Sequence, residues 1–535
     1  MKTLHLKDTA AGIARAARII KKGGLVAFPT ETVYGLGGSA EDAGSAKKIY
    51  EAKGRPSDNP LIIHIARAED AEKYAYTTPL YYRLAKAFCP GPLTMILKKK
   101  ETVPYEVTGG LDTVAVRIPS HPAARRFIEA CGVAIAAPSA NLSGSPSPTE
   151  AEHVAADLDG RIDAIIYGGG CDIGLESTII RLDGDGAVIL RPGAVTEEML
   201  GRLIHVGRDE TLLKKPDADL RPQAPGMKYR HYAPKVPLYL LKGPHDDVAA
   251  YMKRKLDEDP DAGVICTEAD KALLRGRNVT YLPNDAEGQA RRLFSLLRGY
   301  DGRDAKSILC VIPPRTGIGL AVYNRLLKAA GYNIIQVGIT IPVIGLTGQS
   351  GAGKSTAAQC FEQLGGFVCD CDEIYHGLLY KNSPLCETLG ALFPEAYRDG
   401  EIDRKILSAT VFSDKEKLAL LNRTAHGAVL DRVRELLRQA QADGKKFAAV
   451  DASQLFESGY DNECTAVVGV CAPLQARLKR ITERDGIDEE RALARLENQH
   501  NEDFFRVYCD EIIENDGDIT SVCDKIGKIT EKYVK

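Results

Sequence analysis

Apolar positions along the chain follow two rhythms that alternate. Residues 9–22 carry them at helical spacing up to Gly23-Gly24, and Leu25-Val26-Ala27-Phe28 then reads as a buried strand. Further strand-like runs fall at 61–65, 94–97, 114–118 and 133–136, with helical segments between several of them. That alternation predicts a mixed α/β domain over about the first 206 residues. Residues 207–234 break the rhythm: they are polar and rich in Pro, Lys, Arg and Asp, the composition of a linker or a functional loop. The α/β pattern resumes with strands at 238–241, 262–266 and 308–312 and a helix at 290–297. A third unit starts abruptly at Pro342-Val343-Ile344-Gly345-Leu346, just past a strand-like stretch at 334–337. The expected organisation is therefore 1–206, a linker at 207–234, 235–340 and 341–535, with no internal repeat and no low-complexity segment.

Composition adds mostly exclusions. A chain of 535 residues is too long for one hydrophobic core. With 44% apolar and 27% charged residues it reads as ordinary globular protein, and a net charge of -3 gives no global basic field for nucleic acid. The first residues lack a basic-then-apolar leader pattern, and no apolar run approaches the ~18 residues of a membrane span, so a cytoplasmic protein without membrane contact is expected. The 13 cysteines include no Cys-x-x-Cys pair, which argues against a disulfide framework or a zinc ribbon and fits a reducing compartment. Cys369 and Cys371 alternate along an apparent strand and read as packing residues. No His-Glu-x-x-His occurs, so no hydrolytic zinc site is expected.

The most specific chemistry lies in Gly348-Gln349-Ser350-Gly351-Ala352-Gly353-Lys354-Ser355, followed by Thr356, which satisfies G-x-x-x-x-G-K-[ST]. An apolar strand precedes it and a helix follows, the context in which glycines let backbone N–H groups close around phosphate. Lys354 is placed to reach the β and γ phosphates, and the Ser355 hydroxyl to ligate Mg²⁺. The Asn-Lys-x-Asp signature of GTPases is absent after residue 355. Instead, the next strand runs into Asp370-Cys371-Asp372, whose alternation puts both carboxylates on one side near the strand ends. One can accept the proton of an attacking hydroxyl or hold the metal, while the other caps a helix. Arg480 and Arg484, four apart on a basic helix, share a face suited to clamping phosphates.

Over residues 342–535 these features resemble dephospho-CoA kinase. The likeness rests on the phosphate loop, Asp370-Cys371-Asp372, Asp399-Gly400 with Arg404, Leu455-Phe456-Glu457-Ser458-Gly459, the 480–485 segment and Ile512-Ile513-Glu514-Asn515. It implies a P-loop parallel-sheet kinase that phosphorylates the ribose 3'-hydroxyl of dephospho-CoA, with Asp372 as base and Asn515 near the nucleotide. Two departures fall on the acceptor side: Ser453-Gln454 replaces the family's Pro-Leu, and Gly427 follows His426 where the family has Pro.

In the first domain, residues 24–37 read as a strand running into a glycine-punctuated turn that offers Thr30 and Thr32. Downstream stand Lys53-Gly54-Arg55, Ala137-Pro138-Ser139-Ala140-Asn141 and Glu176-Ser177-Thr178. Close-set Lys and Arg at a tight turn suit a polyphosphate. The set resembles the YrdC/Sua5 family of L-threonylcarbamoyladenylate synthases over residues 1–337. The segment 225–234 and Gly317-Ile318-Gly319-Leu320-Ala321 with Asn324-Arg325-Leu326 match that family's appended domain. The resemblance implies a YrdC-like twisted α/β domain, a Rossmann-like C-terminal domain, and condensation of L-threonine, bicarbonate and ATP into threonylcarbamoyl-AMP and pyrophosphate. The product would serve tRNA modification through a separate transferase, with tRNA as a further candidate partner. Lys53, Ser57, Thr113, Ser139, Asn141, Ser147 and Arg191 match the nucleotide side; Thr30, His64, Arg117 and Ser177 match the threonine side; Tyr232 would close over the nucleotide. Lys53 and Arg55 would offset charge building at the phosphates.

The expectation is thus a bifunctional enzyme using ATP and Mg²⁺ at two sites. The alternatives are an RNA-binding module in the first domain and a nucleoside or nucleotide acceptor in the kinase.

Overall fold

A computed structural model describes residues 2–209, 211–213, 215–216, 222–228, 231–412, 414–497 and 499–534. Tyr229 and Arg230 of the linker signature lie outside the described residues, as does Met1. The chain divides into two compact units, Met1–Leu241 with Ala249–Ile335, and Lys242–Val248 with Gln336–Lys535.

The first unit is built on an eleven-stranded sheet. From edge to edge it runs Leu4–Lys7, Ala164–Tyr167, Val26–Phe28, Gly35–Ser39, Ile135–Ala137, Ile62–His64, Thr113–Arg117, Leu93–Lys98, Thr178–Asp183, Gly186–Arg191 and Val206–Arg208. The opening periodicity gives the helix Ala10–Lys21, capped by Thr9, whose side chain accepts the Gly12 N–H. Its apolar stripe (Ile13, Ala16, Ala17, Ile20) packs with Val26, Phe28 and Phe127 on one face of the sheet. Leu25, Tyr34, Leu36, Ile63, Met95 and Val116 face the opposite core. One expectation is corrected here. The glycine-punctuated stretch after Phe28 is not all turn: Gly35–Ser39 forms a strand antiparallel to Val26–Phe28. Glycine is required there by packing, since a Cβ on Gly37 would lie 2.6 Å from Ile135 and 3.0 Å from the Phe28 ring.

A second sheet of five strands has the order Val279–Leu282, Gly263–Thr267, Ile308–Val311, Leu238–Lys242, Ile334–Gln336, and the helices Ala286–Gly299 and Gly317–Ala329 pack together beside it.

The second unit carries a five-stranded parallel sheet in the order Phe367–Asp370, Ala448–Asp451, Val343–Gly348, Ala466–Cys471, Glu511–Glu514. Parallel pairing requires crossovers, and the helices cover both faces with separate apolar cores. Two further corrections arise. Asp370 and Asp372 do not alternate along a strand: the strand ends at Asp370, and Cys371 opens the helix Cys371–Leu378. Asp370 caps that helix, accepting from the N–H groups of Asp372 and Glu373 at 2.8 and 3.0 Å. The cysteine reading also fails at one point. Cys360 and Cys523, 163 residues apart, form a disulfide between the helices Lys354–Gln363 and Ile519–Tyr533. Tertiary packing creates that pair, and no local spacing announces it. Among the described residues no helix is long and apolar enough to cross a membrane.

Candidate active sites

The first site lies in the first unit, where three loops meet at the ends of central strands. The hairpin loop Pro29–Tyr34 is held by Thr30, whose Oγ1 donates to the Val33 carbonyl at 2.6 Å and lies 2.9 Å from Thr32 Oγ1. The helix Ala43–Lys53 ends at Gly54, in the left-handed region (φ 63°), which turns the chain back so that Lys53 and Arg55 both point inward. Lys53 Nζ donates to the carbonyls of Ser139 and Asn141 and to Asn141 Oδ1, and Arg55 donates to the carbonyls of Asn59 and Pro60. Burial, followed by the Arg55 charge, holds the Lys53 ammonium well below the usual lysine range.

Strand pairing sets His64 opposite Arg117. Burial, with the Arg117 charge, brings the His64 imidazole down to about 3, so it is neutral at physiological pH. Arg117 and Glu31 form a buried ion pair at 2.7 Å, and Glu31 also accepts the Ser120 N–H at 3.1 Å. Arg117 Nε is buried and has no hydrogen-bond partner among the described residues. Arg191 spans the far wall, donating to the Ser177 carbonyl, to Ser177 Oγ at 3.2 Å and to the Pro225 carbonyl.

Thr30, Arg55, His64, Arg117, Ser139, Asn141, Ser147, Arg191 and Tyr232 all line one cavity of about 50 Å³. Lys53 and Ser177 stand one contact behind it, whereas Ser57, which is exposed, and Thr113 do not line it. The linker forms its roof through Pro225, Gly226, His231 and Tyr232; the Tyr232 ring stacks on Phe294 at 5.2 Å.

Sequence reasoning assigned no site role to the groups that hold this roof. Lys328 Nζ donates to the Gly226 carbonyl at 2.6 Å. Burial, then the Arg325 and Arg191 charges, brings that lysine down to about 7. Arg325 is fully buried and pairs with Glu176 at 3.0 Å. His231 Nε2 is buried in the cavity wall without a hydrogen-bond partner among the described residues.

The second site lies at the C-terminal strand ends of the second unit. Gly348, Gly351 and Gly353 have φ of 148°, 75° and 99°. A Cβ at Gly353 would come within 2.1 Å of Asn515 Nδ2, so this position admits glycine alone. Asn515 Nδ2 donates to the Ala352 carbonyl at 2.7 Å, and Arg480 to the Gly351 carbonyl at 3.1 Å. The structure thus brings Arg480 and Asn515 onto the phosphate loop. Arg484 instead pairs with Asp485 at 2.7 Å.

Lys354 and Ser355 open the helix Lys354–Gln363, with Thr356 third; Ser355 is exposed. Lys354 Nζ lies 3.3 Å from Asp451 Oδ1. Asp451 is the principal residue missed here. It ends the strand beside the phosphate loop, in register with Asp370, and burial raises its carboxyl against the opposing pull of Lys354. A charged residue closing an apolar strand in Ala448-Ala449-Val450-Asp451 was the available signal. Gln499 was also missed: it accepts the Ser350 N–H at 3.0 Å and donates to Ser350 Oγ at 2.6 Å. Asp372 is exposed and borders a separate cleft of about 460 Å³.

Three family models match the chain in order. One described as Telomere recombination covers residues 18–193, the Threonylcarbamoyl-AMP synthase C-terminal domain covers 195–331, and Dephospho-CoA kinase covers 342–521. The chain is 48% identical to a threonylcarbamoyl-AMP synthase of Pyrococcus abyssi over 323 residues, which is 60% of this chain and 95% of the relative. It is 31% identical to a dephospho-CoA kinase of Carboxydothermus hydrogenoformans over 197 residues, 36% of this chain and 96% of the relative. Among solved structures, P. abyssi Sua5 complexed with L-threonine aligns at 44% identity and a TM-score of 0.58, covering 63% of this chain and all of that one.

Proposed function

Because the chain belongs to the threonylcarbamoyl-AMP synthase family over its first part and to the dephospho-CoA kinase family over its last, we propose that each site described above performs the matching reaction. The chain is a bifunctional enzyme of threonylcarbamoyl-adenosine and coenzyme A biosynthesis, and both halves use ATP. Both are enzymes, so the alternative of an RNA-binding module joined to a nucleoside kinase is set aside.

At the first site, the reading is carried by the buried convergence of Lys53, Arg55, Arg117 and Arg191 around one small cavity. L-threonine and bicarbonate condense with loss of water to a carbamate whose oxygen attacks the α-phosphorus of ATP; the bond to the β-phosphate breaks and pyrophosphate leaves. Arg117, with Thr30, His64 and Ser177, holds the threonine. Ser139, Asn141, Ser147 and Arg191 face the nucleotide, and Lys53 and Arg55 offset its charge. The roof at Tyr232 excludes water from a carbamate that would otherwise decompose. The product then passes to a separate tRNA-modifying transferase.

At the second site the carrying observation is the glycine loop with Lys354 3.3 Å from Asp451, whose carboxyl also feels the Asp372 charge. Asp372 takes the proton of the acceptor's ribose 3'-hydroxyl, whose oxygen bonds the γ-phosphorus as ADP departs. Gly351, Ala352, Gly353, Lys354, Ser355 and Thr356 cradle the phosphates, and Arg480 and Asn515 flank the loop. Arg484 reaches the phosphates only if it leaves Asp485. The Ser355 hydroxyl and the Asp451 carboxylate are hard oxygen donors that fit Mg²⁺, which when bound neutralises phosphate charge.

The deciding experiment measures both activities on the intact chain: pyrophosphate release dependent on threonine and bicarbonate, and ADP formation dependent on dephospho-CoA. Both must appear; absence of either removes the corresponding reading.

A further inference from the structure

The cleft bordered by Asp372 has a mixed lining. Leu407, Val411, Leu421 and Val429 contribute apolar surface, and Asn422, His426 and Gln454 are among its polar residues. Asn422 and His426 are four apart on the helix Lys415–Ala442 and so share a face. Gln454 lies on the loop that follows the strand ending at Asp451. His426 Nε2 and Gln454 Oε1 are 2.8 Å apart, a hydrogen bond that bridges the cleft between helix and loop. Gln454 is exposed and His426 half-buried, so the pair sits at the mouth. With its oxygen engaged by His426, the Gln454 side chain still carries two N–H donors, and Gln454 lines the cleft.

An acceptor that presents its ribose hydroxyl to Asp372 extends into this cleft. In dephospho-CoA, the part beyond the diphosphate is a flexible arm with two amide groups separated by apolar carbon. Such an arm suits a mixed lining of aliphatic and polar residues: the apolar surface takes the methylenes, and a fixed carboxamide donates to an arm carbonyl. We propose that Gln454, oriented by His426, is a specificity-determining residue of the kinase site that binds an amide carbonyl of the acceptor's arm. Gln454 touches the substrate, and His426 is a positioning residue acting through it. This rests on the kinase reading above, and the test separates the two.

The experiment follows ADP formation in the full chain with dephospho-CoA or ATP varied in turn, for wild type, Gln454→Met and His426→Leu. Methionine keeps the side-chain length and removes the donors. Gln454→Met is expected to raise KM for dephospho-CoA about tenfold with kcat and KM for ATP within twofold of wild type; His426→Leu raises the same KM by a smaller factor. Adenosine 5'-phosphate, which has the ribose but no arm, is tried as a competitor and is expected to show the same inhibition constant for all three proteins. An unchanged KM for dephospho-CoA overturns the assignment, and so does an equal loss toward adenosine 5'-phosphate. A wild type that makes no ADP with dephospho-CoA overturns the kinase reading itself.

Discussion

Arg117 and Glu31 are both nearly inaccessible, and each is the other's main electrostatic partner. Removing one member of a buried pair strands the remaining charge, which costs about 3–5 kcal/mol, more than the pair itself contributes. Arg117→Met should therefore lower the unfolding free energy of the first unit, read from urea titration, by an amount of that order, whereas Arg117→Met with Glu31→Gln should recover most of it. Pyrophosphate release should stay lost in both, because the proposed threonine partner is missing; recovery in the double variant would remove Arg117 from the site. Lys328 gives a pH-dependent counterpart. Burial depresses its folded pKa to about 7, whereas the unfolded side chain titrates near ~10.4. Between those values the unfolded state binds more protons, so this lysine makes stability rise as pH climbs from about 7. Urea unfolding at pH 7, 8 and 9 should show that rise, with a shallower slope for Lys328→Met; Lys53, also depressed, supplies part of the remainder. At this scale the sequence was unevenly legible. Lys53, Arg55, Ser139 and Asn141 sit in short fixed spacings and could be read directly. Lys328, Arg325 and Gln499 act from other segments, more than 100 residues along the chain from their partners, and only folding brings them there.

Elements were more legible than their edges. The strand at 343–348 and the helix after it follow from a short apolar run ending in glycines. The boundary after Asp370 was misread because Cys369-Asp370-Cys371-Asp372 has the period of a strand, while a capping carboxylate with two N–H partners starts a helix. Gly35–Ser39 was hidden for the opposite reason. Its glycines satisfy close packing against Phe28 and Ile135, and a strand made of them has no apolar signature. The 28-residue helix Lys415–Ala442 contains a glycine whose added Cβ would meet nothing within 4 Å, and Gly427 is not among the residues with positive φ. Glycine in such an interior costs about 0.5–1 kcal/mol relative to alanine. Gly427→Ala should raise the stability of the second unit by that amount in urea titration and leave KM for ATP unchanged; destabilisation would mean that the helix bends at this point in solution.

For the whole molecule, the question is whether two ATP-using sites on one chain are separable. Their chemistry says that they are. One reaction breaks the bond between the α and β phosphates and needs a dry, roofed cavity; the other moves the γ-phosphoryl group from an open glycine loop to a hydroxyl. The proposed binding groups do not overlap: Lys53, Arg117 and Arg191 belong to the first unit, and Lys354, Asp372 and Asp451 to the second. Neither product is the other's substrate, so no transfer between sites is required. Lys354→Ala should abolish ADP formation with dephospho-CoA and leave threonine-dependent pyrophosphate release within twofold of wild type. Lys53→Met should do the reverse. In Lys53→Met the lost ammonium removes a donor from the Ser139 and Asn141 carbonyls, so retained kinase activity also reports that damage to the first unit does not unfold the second. If Lys354→Ala silenced both reactions, the two-site assignment would have to give way to one in which the phosphate loop serves both.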